Sequence, residues 1–345
     1  MTTEPRPGAG ARPPRAELHL HLEGTLEPEL AFALAERNGV ALPFADVAAL
    51  RAAYDFGDLQ SFLDLYYANM AVLRTADDFA ELTRAYLRRA AAAGVRHAEI
   101  MFDPQAHLLR GVPLATVVDG ITSVLVTSER DFGVSTLLIA AFLRDRPAGE
   151  ALSVLDALLA TGAPIAGVGL DSAEVGSAAP FGPVFARAAA AGLRRTAHAG
   201  EEGPPANVVE VLDVLGAERV DHGVRAMEDP ALVARLARDR VPLTVCPLSN
   251  VRLQAVPSLA EHPLPRMVEA GLHVSVHSDD PAYFGGYVDD VDDALTATFG
   301  MGARERAALA AASFTGSFLP ADRVREHLRE VEEWATRARV RASSG

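Results

Sequence analysis

Short apolar runs recur along the chain, and each gives way to a longer segment in which apolar residues return every three or four positions. Eight runs have strand character, at residues 16–22, 95–102, 134–142, 165–170, 194–198, 219–221, 242–246 and 273–277. The intervening segments carry helical spacing, clearest at 181–191 and 230–239. The second of these opens "EDPAL", so Asp229 is predicted to cap the helix and Pro230 to occupy its first position, where no backbone N–H is required. Strand alternating with helix predicts a parallel sheet, and eight such units predict an α/β fold of the (β/α)₈ TIM-barrel type. The first unit is enlarged: residues 26–93 read as several extra helices, including 58–73 and 77–93. No internal repeat and no Pro-, Gly- or Ser-rich linker divides the chain. One domain over 15–338 is therefore expected, between an N-terminal tail (1–14) and a C-terminal tail (339–345).

Composition narrows the partners. The formal net charge of −14 argues against nucleic acid and against anionic membrane surfaces. No stretch is long and apolar enough to span a bilayer, and the N-terminal "MTTEPRPGAGARPPR" lacks the apolar centre of a signal peptide. A single cysteine, Cys246, excludes an internal disulfide and suits a reducing cytoplasm. The chain contains no lysine, which excludes Schiff-base chemistry, a P-loop and a lysine-carbamate bridge between two metals.

The chemistry gathers where the predicted strands end. In "AELHLHLEGT", His19 and His21 stand two apart, so a strand turns both to one face. The fifth run ends "TAHAGEEG" with His198 and Glu201, the sixth "VDHGV" with Asp221 and His222, and the eighth "VHSDDPAYFGG" with Asp279 and Asp280. The C-terminal ends of barrel strands are where such folds carry their active sites. Three neutral imidazoles and a carboxylate suit Zn²⁺, and His19, His21, His198 and Asp279 supply that set for one ion per chain. Glu201 reads either as a proton donor or acceptor beside that ion, or as a carboxylate capping the helix that follows. His222 reads as a second base or electrostatic partner, or as a histidine held by Asp221. Asp280 either binds substrate or orients a neighbour.

The segments "ELHLHLEGTLEPEL", "HAGEEG", "RVDHGV", "CPLSN" and "SDDPAYFGGY", in that order over residues 16 to 320, resemble the adenosine/adenine deaminase family of metal-dependent hydrolases. The resemblance implies a one-zinc barrel with His19, His21, His198 and Asp279 as ligands. It implies Glu201 as the acid that protonates purine N1, His222 as the group that positions or deprotonates water, and Asp280 as the partner of N7. The "DSAE" and "DDPAYFGGY" forms and "FGDLQSFLDLYY" resemble the branch acting on adenine, which implies purine salvage. Two departures from the nucleoside-acting pattern agree. Glu23 stands where those enzymes carry an Asp that reaches ribose, and Glu174 stands near a glycine whose backbone meets the purine edge. Gly169, Glu174 and Glu23 are accordingly expected among the purine contacts, with Glu174 placed to accept from a free N9–H. Phe56, Leu59 and Phe62 are expected either in a lid or in a helix core. Ser249 and Asn250 read either as lining the pocket's mouth or as an ordinary polar loop, and His97, His107, His262, His273 and His327 as structural or surface residues. The alternatives are a deaminase of an N9-substituted purine such as adenosine or aminodeoxyfutalosine, a barrel that binds purines without turnover, and a two-metal ester or lactam hydrolase.

Overall fold

The computed structural model describes residues 12–343. Its eight strands are β1 (Arg15–His21), β2 (Val95–Phe102), β3 (Ser135–Leu143), β4 (Gly167–Asp171), β5 (Arg194–Ala199), β6 (Arg219–His222), β7 (Pro242–Val245) and β8 (His273–Val276). They pair in sequence order and every pair is parallel, as in a (β/α)₈ barrel. Of the expected N-terminal tail, residues 1–11 lie outside the description, and Arg12 is bound to Asp289 and Asp293. The final helix, Ala321–Ser343, takes in most of the expected C-terminal tail, and residues 344–345 lie outside the description.

The helices form where their local signals sit. Pro230–Asp239 begins behind Asp229, whose carboxylate accepts from Ala231 N and Leu232 N. The expected helix at 58–73 is Leu59–Asn69, capped by Asp58 and prolonged by a 3₁₀ turn, Met70–Val72. Ala76–Ala92 and Gly182–Ala190 match the other expected segments within two residues. Among the described residues, no helix is long and apolar enough to cross a membrane.

The seam between β8 and β1 is closed through individual groups rather than a long ladder. Asp279 N donates to His19 O at 3.1 Å, and His21 N donates to Asp279 O at 3.1 Å. Below them, His277 Nδ1 accepts from Leu18 N at 3.1 Å, and Glu17 accepts from the backbone N–H and hydroxyl of Ser278. Glu17 is itself held by Tyr86. His277, which sequence left without a role, thus replaces a strand carbonyl at the seam.

The N-terminal mouth of the barrel is filled by a buried ion pair. Arg219, fully buried at the start of β6, donates to Glu99 Oε2 at 2.6 Å and to the carbonyl of Leu18 at 3.2 Å. Its guanidinium lies over the Phe318 ring, 4.4 Å from the centroid. Met101, Ile139 and Ala141 pack a small apolar layer within the barrel, while on the β6 side Arg219 Nε lies 3.6 Å from Asp221 Oδ1. Arg219→Met would strand Glu99 in the core, and a loss of about 3–5 kcal/mol is expected. Urea unfolding of that variant measures the loss, and adding Glu99→Gln should recover part of it.

Candidate active site and metal centre

At the C-terminal mouth, the pleat of β1 turns His19 and His21 to the same interior face. His198 arrives from β5, and Asp279 from the turn after β8. Their donor atoms all lie within 4.8 Å of one another. His19 Nε2 is 3.0 Å from His198 Nε2 and 3.2 Å from Asp279 Oδ1. His21 Nε2 is 3.2 Å from His198 Nε2 and 3.5 Å from Asp279 Oδ1.

These separations are not hydrogen bonds between imidazoles. His19 Nδ1 faces the carbonyl of Thr244 at 3.0 Å, so Nδ1 carries the proton and Nε2 presents a lone pair. The Nδ1 atoms of His198 and His21 likewise face carboxylates, Asp221 Oδ2 at 3.6 Å and Asp171 Oδ2 at 3.5 Å. Burial and the neighbouring imidazoles hold His198 well below its ordinary pKa, hence neutral. Asp279 is held well below the carboxylate range despite its burial, because His19, His222 and His21 surround it. Three lone pairs and one carboxylate therefore converge. Donors about 2.0–2.2 Å from one ion stand roughly 2.9–3.5 Å apart, and the four separations given above fall in that range, so the four residues fit a divalent metal.

Beside this cluster, a relay of unambiguous donors fixes His222. Leu264 N donates to His262 Nδ1 at 3.0 Å, so His262 Nε2 carries its proton toward Asn250 Oδ1 at 3.2 Å. Asn250 Nδ2 then donates to His222 Nδ1 at 3.3 Å. The remaining His222 proton sits on Nε2, 3.4 Å from Glu201 Oε2 and 3.9 Å from Asp279 Oδ2. Burial lowers the His222 pKa to about 4, which keeps the ring neutral. The polar-loop reading of Asn250 is thereby replaced. The idea that Asp221 holds His222 is also corrected, because that carboxylate accepts from Thr196 Oγ1 and Thr244 Oγ1 at 2.6 and 2.7 Å and faces His198.

Glu201 lies in the turn after β5, and burial, then Asp279 and Glu174, push its carboxyl well up. Asp280 is raised for the same kind of reason, burial first and Asp279 second, and its Oδ1 has no hydrogen-bond partner. Gly24 of the "HLEGT" turn is required here, since a Cβ at that position would fall 2.0 Å from Asp280 Oδ1. A small cavity of about 40 Å³ opens over these groups. Leu59, Phe62, Leu63 and Tyr66 of one inserted helix roof it, while Phe56 packs behind Phe62.

Three expected purine contacts are placed elsewhere. Glu174 does not line the cavity: its Oε1 accepts from the backbone N–H groups of Glu201, Glu202 and Gly203 at 2.7, 3.1 and 3.1 Å. Its Oε2 accepts from Gly200 N at 3.0 Å and Asn207 Nδ2 at 2.8 Å. With both oxygens occupied, it clamps the turn that carries Glu201. Glu23 is drawn aside by His107 Nε2 at 2.6 Å and accepts from Asp103 N at 3.2 Å. Gly169 lies two residues before the end of β4, one layer beneath the cavity floor, where an added Cβ would meet Ala141. Conversely, Asp103 and Asp171 line the cavity and were missed. Both stand at predicted strand ends, in "MFDP" and "GLDS", and the strand-end rule would have found them.

A parallel barrel with a buried His₃Asp cluster at its C-terminal mouth defines a hydrolase with a metal cofactor. The sequence profile of the family described as Adenosine deaminase matches residues 14–334, and the chain belongs to that family. It is thus a hydrolase of C–N bonds in cyclic amidines. The chain is 62% identical over 325 residues to the adenine deaminase of Streptomyces coelicolor, covering 93% of this chain and 95% of that one. The crystal structure of adenine deaminase from Arthrobacter aurescens superposes with a TM-score of 0.93 at 63% identity, covering 94% and 99% of the two chains. An amidohydrolase from Burkholderia ambifaria, solved with bound Zn, superposes with a TM-score of 0.87 at 29% identity over 97% of each chain.

Two outcomes follow from this geometry. His198→Ala should lower metal affinity by more than the roughly 10–100-fold lost when only an outer partner is removed, as metal analysis after dialysis would show. Glu174→Gln turns an amide N–H₂ against backbone donors. It should reduce kcat by about 10²-fold through displacement of Glu201 while metal content stays at the unmutated level.

Proposed function

We propose that the chain hydrolyses adenine to hypoxanthine and ammonia with one zinc ion, as a single catalytic unit over 15–338 serving cytoplasmic purine salvage. The carrying observation is the placement of Glu201, buried with a raised pKa, between His222 and the four converging donors. The names of the relatives at 62% and 63% identity support adenine as the substrate, and the Zn bound in the Burkholderia amidohydrolase supports the metal.

When bound by His19, His21, His198 and Asp279, the cation supplies Lewis acidity that lowers the pKa of water towards neutrality. The protein's own groups do the rest. Glu201, kept protonated by burial, donates its proton to N1, so that negative charge need not accumulate on the ring as C6 is attacked. His222 presents Nε2–H and a neutral ring, which orients the attacking water by donating to it. Asp280, with its carboxyl also raised, donates to the N7 lone pair and holds the base in register. A C6–O bond forms and the C6–N bond breaks as the water gives up both protons, one to the Glu201 carboxylate left by donation to N1 and one to the amino group, which leaves as ammonia, so that N1 keeps its proton and the C6 oxygen becomes the carbonyl of hypoxanthine. The roof of Leu59, Phe62 and Tyr66 supplies an apolar face for the ring and excludes bulk water.

Ammonia release from adenine, adenosine and aminodeoxyfutalosine by the metal-loaded protein tests the reading. Release from adenine is expected, and turnover of a nucleoside with none from adenine would overturn it. Glu201→Gln should retain the metal and lose about 10²–10⁴-fold in kcat. Because the donor must be protonated, kcat should fall as pH rises through the elevated Glu201 pKa, and a flat alkaline profile would remove Glu201 from that role.

A further inference from the structure

Accepting adenine as the substrate leaves one edge of the base without a partner. The C6–N7 edge is met by Glu201, His222 and Asp280, but the opposite edge, with N3 and N9, loses the contact expected from Glu174, whose oxygens both serve the 200–203 turn. In an eight-stranded barrel ordered β1 to β8, β2 stands across the mouth from β6. The residue that follows β2 is Asp103, and it therefore faces His222, the last residue of β6, over the cavity.

Asp103 and Asp171 stand carboxyl to carboxyl and share a hydrogen bond, with Asp103 held well up by burial and by Asp171, so the pair keeps a proton between its members and still has oxygen lone pairs to offer a donor. The Asp103 side chain is 3% exposed, and its Oδ1 receives no hydrogen bond from an N–H or hydroxyl. Its Oδ2 receives only a long one, 3.5 Å, from the Tyr66 hydroxyl of the roof. Asp171 at the end of β4 lines the same wall, is 4% exposed, and likewise has an unpartnered Oδ1. The carboxyl–carboxyl bond satisfies the pair only in part, and an oxygen on each with no further donor, on one cavity wall, marks the place of a ligand's N–H. Glu23 holds the Asp103 backbone through its N–H, and the Glu23–His107 pair anchors that hold from beneath.

We infer that Asp103, seated beside Asp171, is the specificity-determining residue of the site, with the unpartnered oxygen of its carboxyl group accepting the N9–H that a free purine base has and a nucleoside lacks. A carbon substituent at N9 would remove the donor and press against the carboxyl group, leaving that oxygen buried and unpaired. A site built around such a hydrogen bond rejects analogues lacking it far more strongly than a merely apolar pocket does. Asp171 lies nearer the metal cluster, 3.5 Å from His21 Nδ1 against 4.0 Å for Asp103, so orientation of His21 falls chiefly to Asp171 and discrimination to Asp103.

The test compares kcat/KM for adenine and 9-methyladenine in the metal-loaded wild type, Asp103→Asn and Asp103→Ser, with metal content measured in each. The wild type should prefer adenine by roughly 100-fold or more. Asp103→Ser should lower the adenine value and shrink the preference at least about tenfold at unchanged metal content. A preference that stays within about threefold of wild type, or one in which both substrates and bound metal fall together, overturns the inference and reduces Asp103 to a support for His21. Equilibrium binding of hypoxanthine against 9-methylhypoxanthine to the wild type needs no variant, and equal affinities would equally overturn it. Absence of ammonia from adenine in the wild type sinks the substrate reading and the inference with it, whereas normal adenine turnover with an unchanged ratio sinks the inference alone.

Discussion

The backbone of Asp279 is the point on which the rest of the structure depends. Its N–H and C=O bond the two histidine-bearing positions of β1, closing the barrel, while its carboxylate meets the imidazoles of those same residues. Barrel closure and assembly of the metal centre are therefore one event. Asp279 and His222 both adopt left-handed backbone angles, φ 65° in each case. Such angles cost of order 1 kcal/mol or more per non-glycine residue and persist only where surrounding bonds over-determine them. At Asp279 those bonds are the seam itself, so strain that aims the carboxylate inward is held by contacts the fold needs in any event.

Charge is buried at both mouths of the barrel, and Asp221, 3.6 Å from Arg219 Nε and 3.6 Å from His198 Nδ1, stands between the two sets. At the N-terminal mouth Arg219 and Glu99 neutralise one another and tie β2, β6 and the turn before the last helix. At the C-terminal mouth the excess is acidic, with Glu23, Asp103, Asp171, Glu201, Asp279 and Asp280 gathered around neutral histidines. So much negative charge in a low-dielectric space raises the pKa of those carboxyls that lack a cationic or multiple N–H partner. That is why Glu201, Asp103 and Asp280 are raised, while Glu174, with its five donors, and Glu23, beside His107, are lowered. A divalent cation at the four converging donors answers this imbalance directly.

The carboxylates divide into those that shape the site and those that face the cavity. Glu174 spends both oxygens on the 200–203 turn and Asn207, and Glu23 spends Oε1 on His107 and the Asp103 backbone; Asp221 serves two threonines and faces His198. Glu201, Asp280, Asp103 and Asp171 line the cavity and each keeps an oxygen with no N–H or hydroxyl donor, as does Glu23 Oε2 outside it. The division follows from hydrogen-bond supply: donors in the turns reach the first group, and the cavity leaves the second to whatever enters it.

Much of the fold was legible along the chain. The eight strands lie close to their expected positions, and Asp229, Pro230 and Asp58 mark helix starts as local capping chemistry requires. The convergence of His19, His21, His198 and Asp279 was legible for a similar reason, since the period of two in a strand and the polarity of barrel ends are properties of short segments. The allocation of carboxylates was not: Glu174, Glu23 and Asp103 are all acidic residues just past strand ends and look alike in sequence. Only the packed structure decided that Glu174 meets the 200–203 amides, that His107 pulls Glu23 aside and that Asp103 is left facing the cavity. Sequence alone determines where strands end and which residue types stand there. Which donor each acid meets depends on segments tens of residues apart arriving within about 3 Å of one another, and only tertiary packing sets that distance.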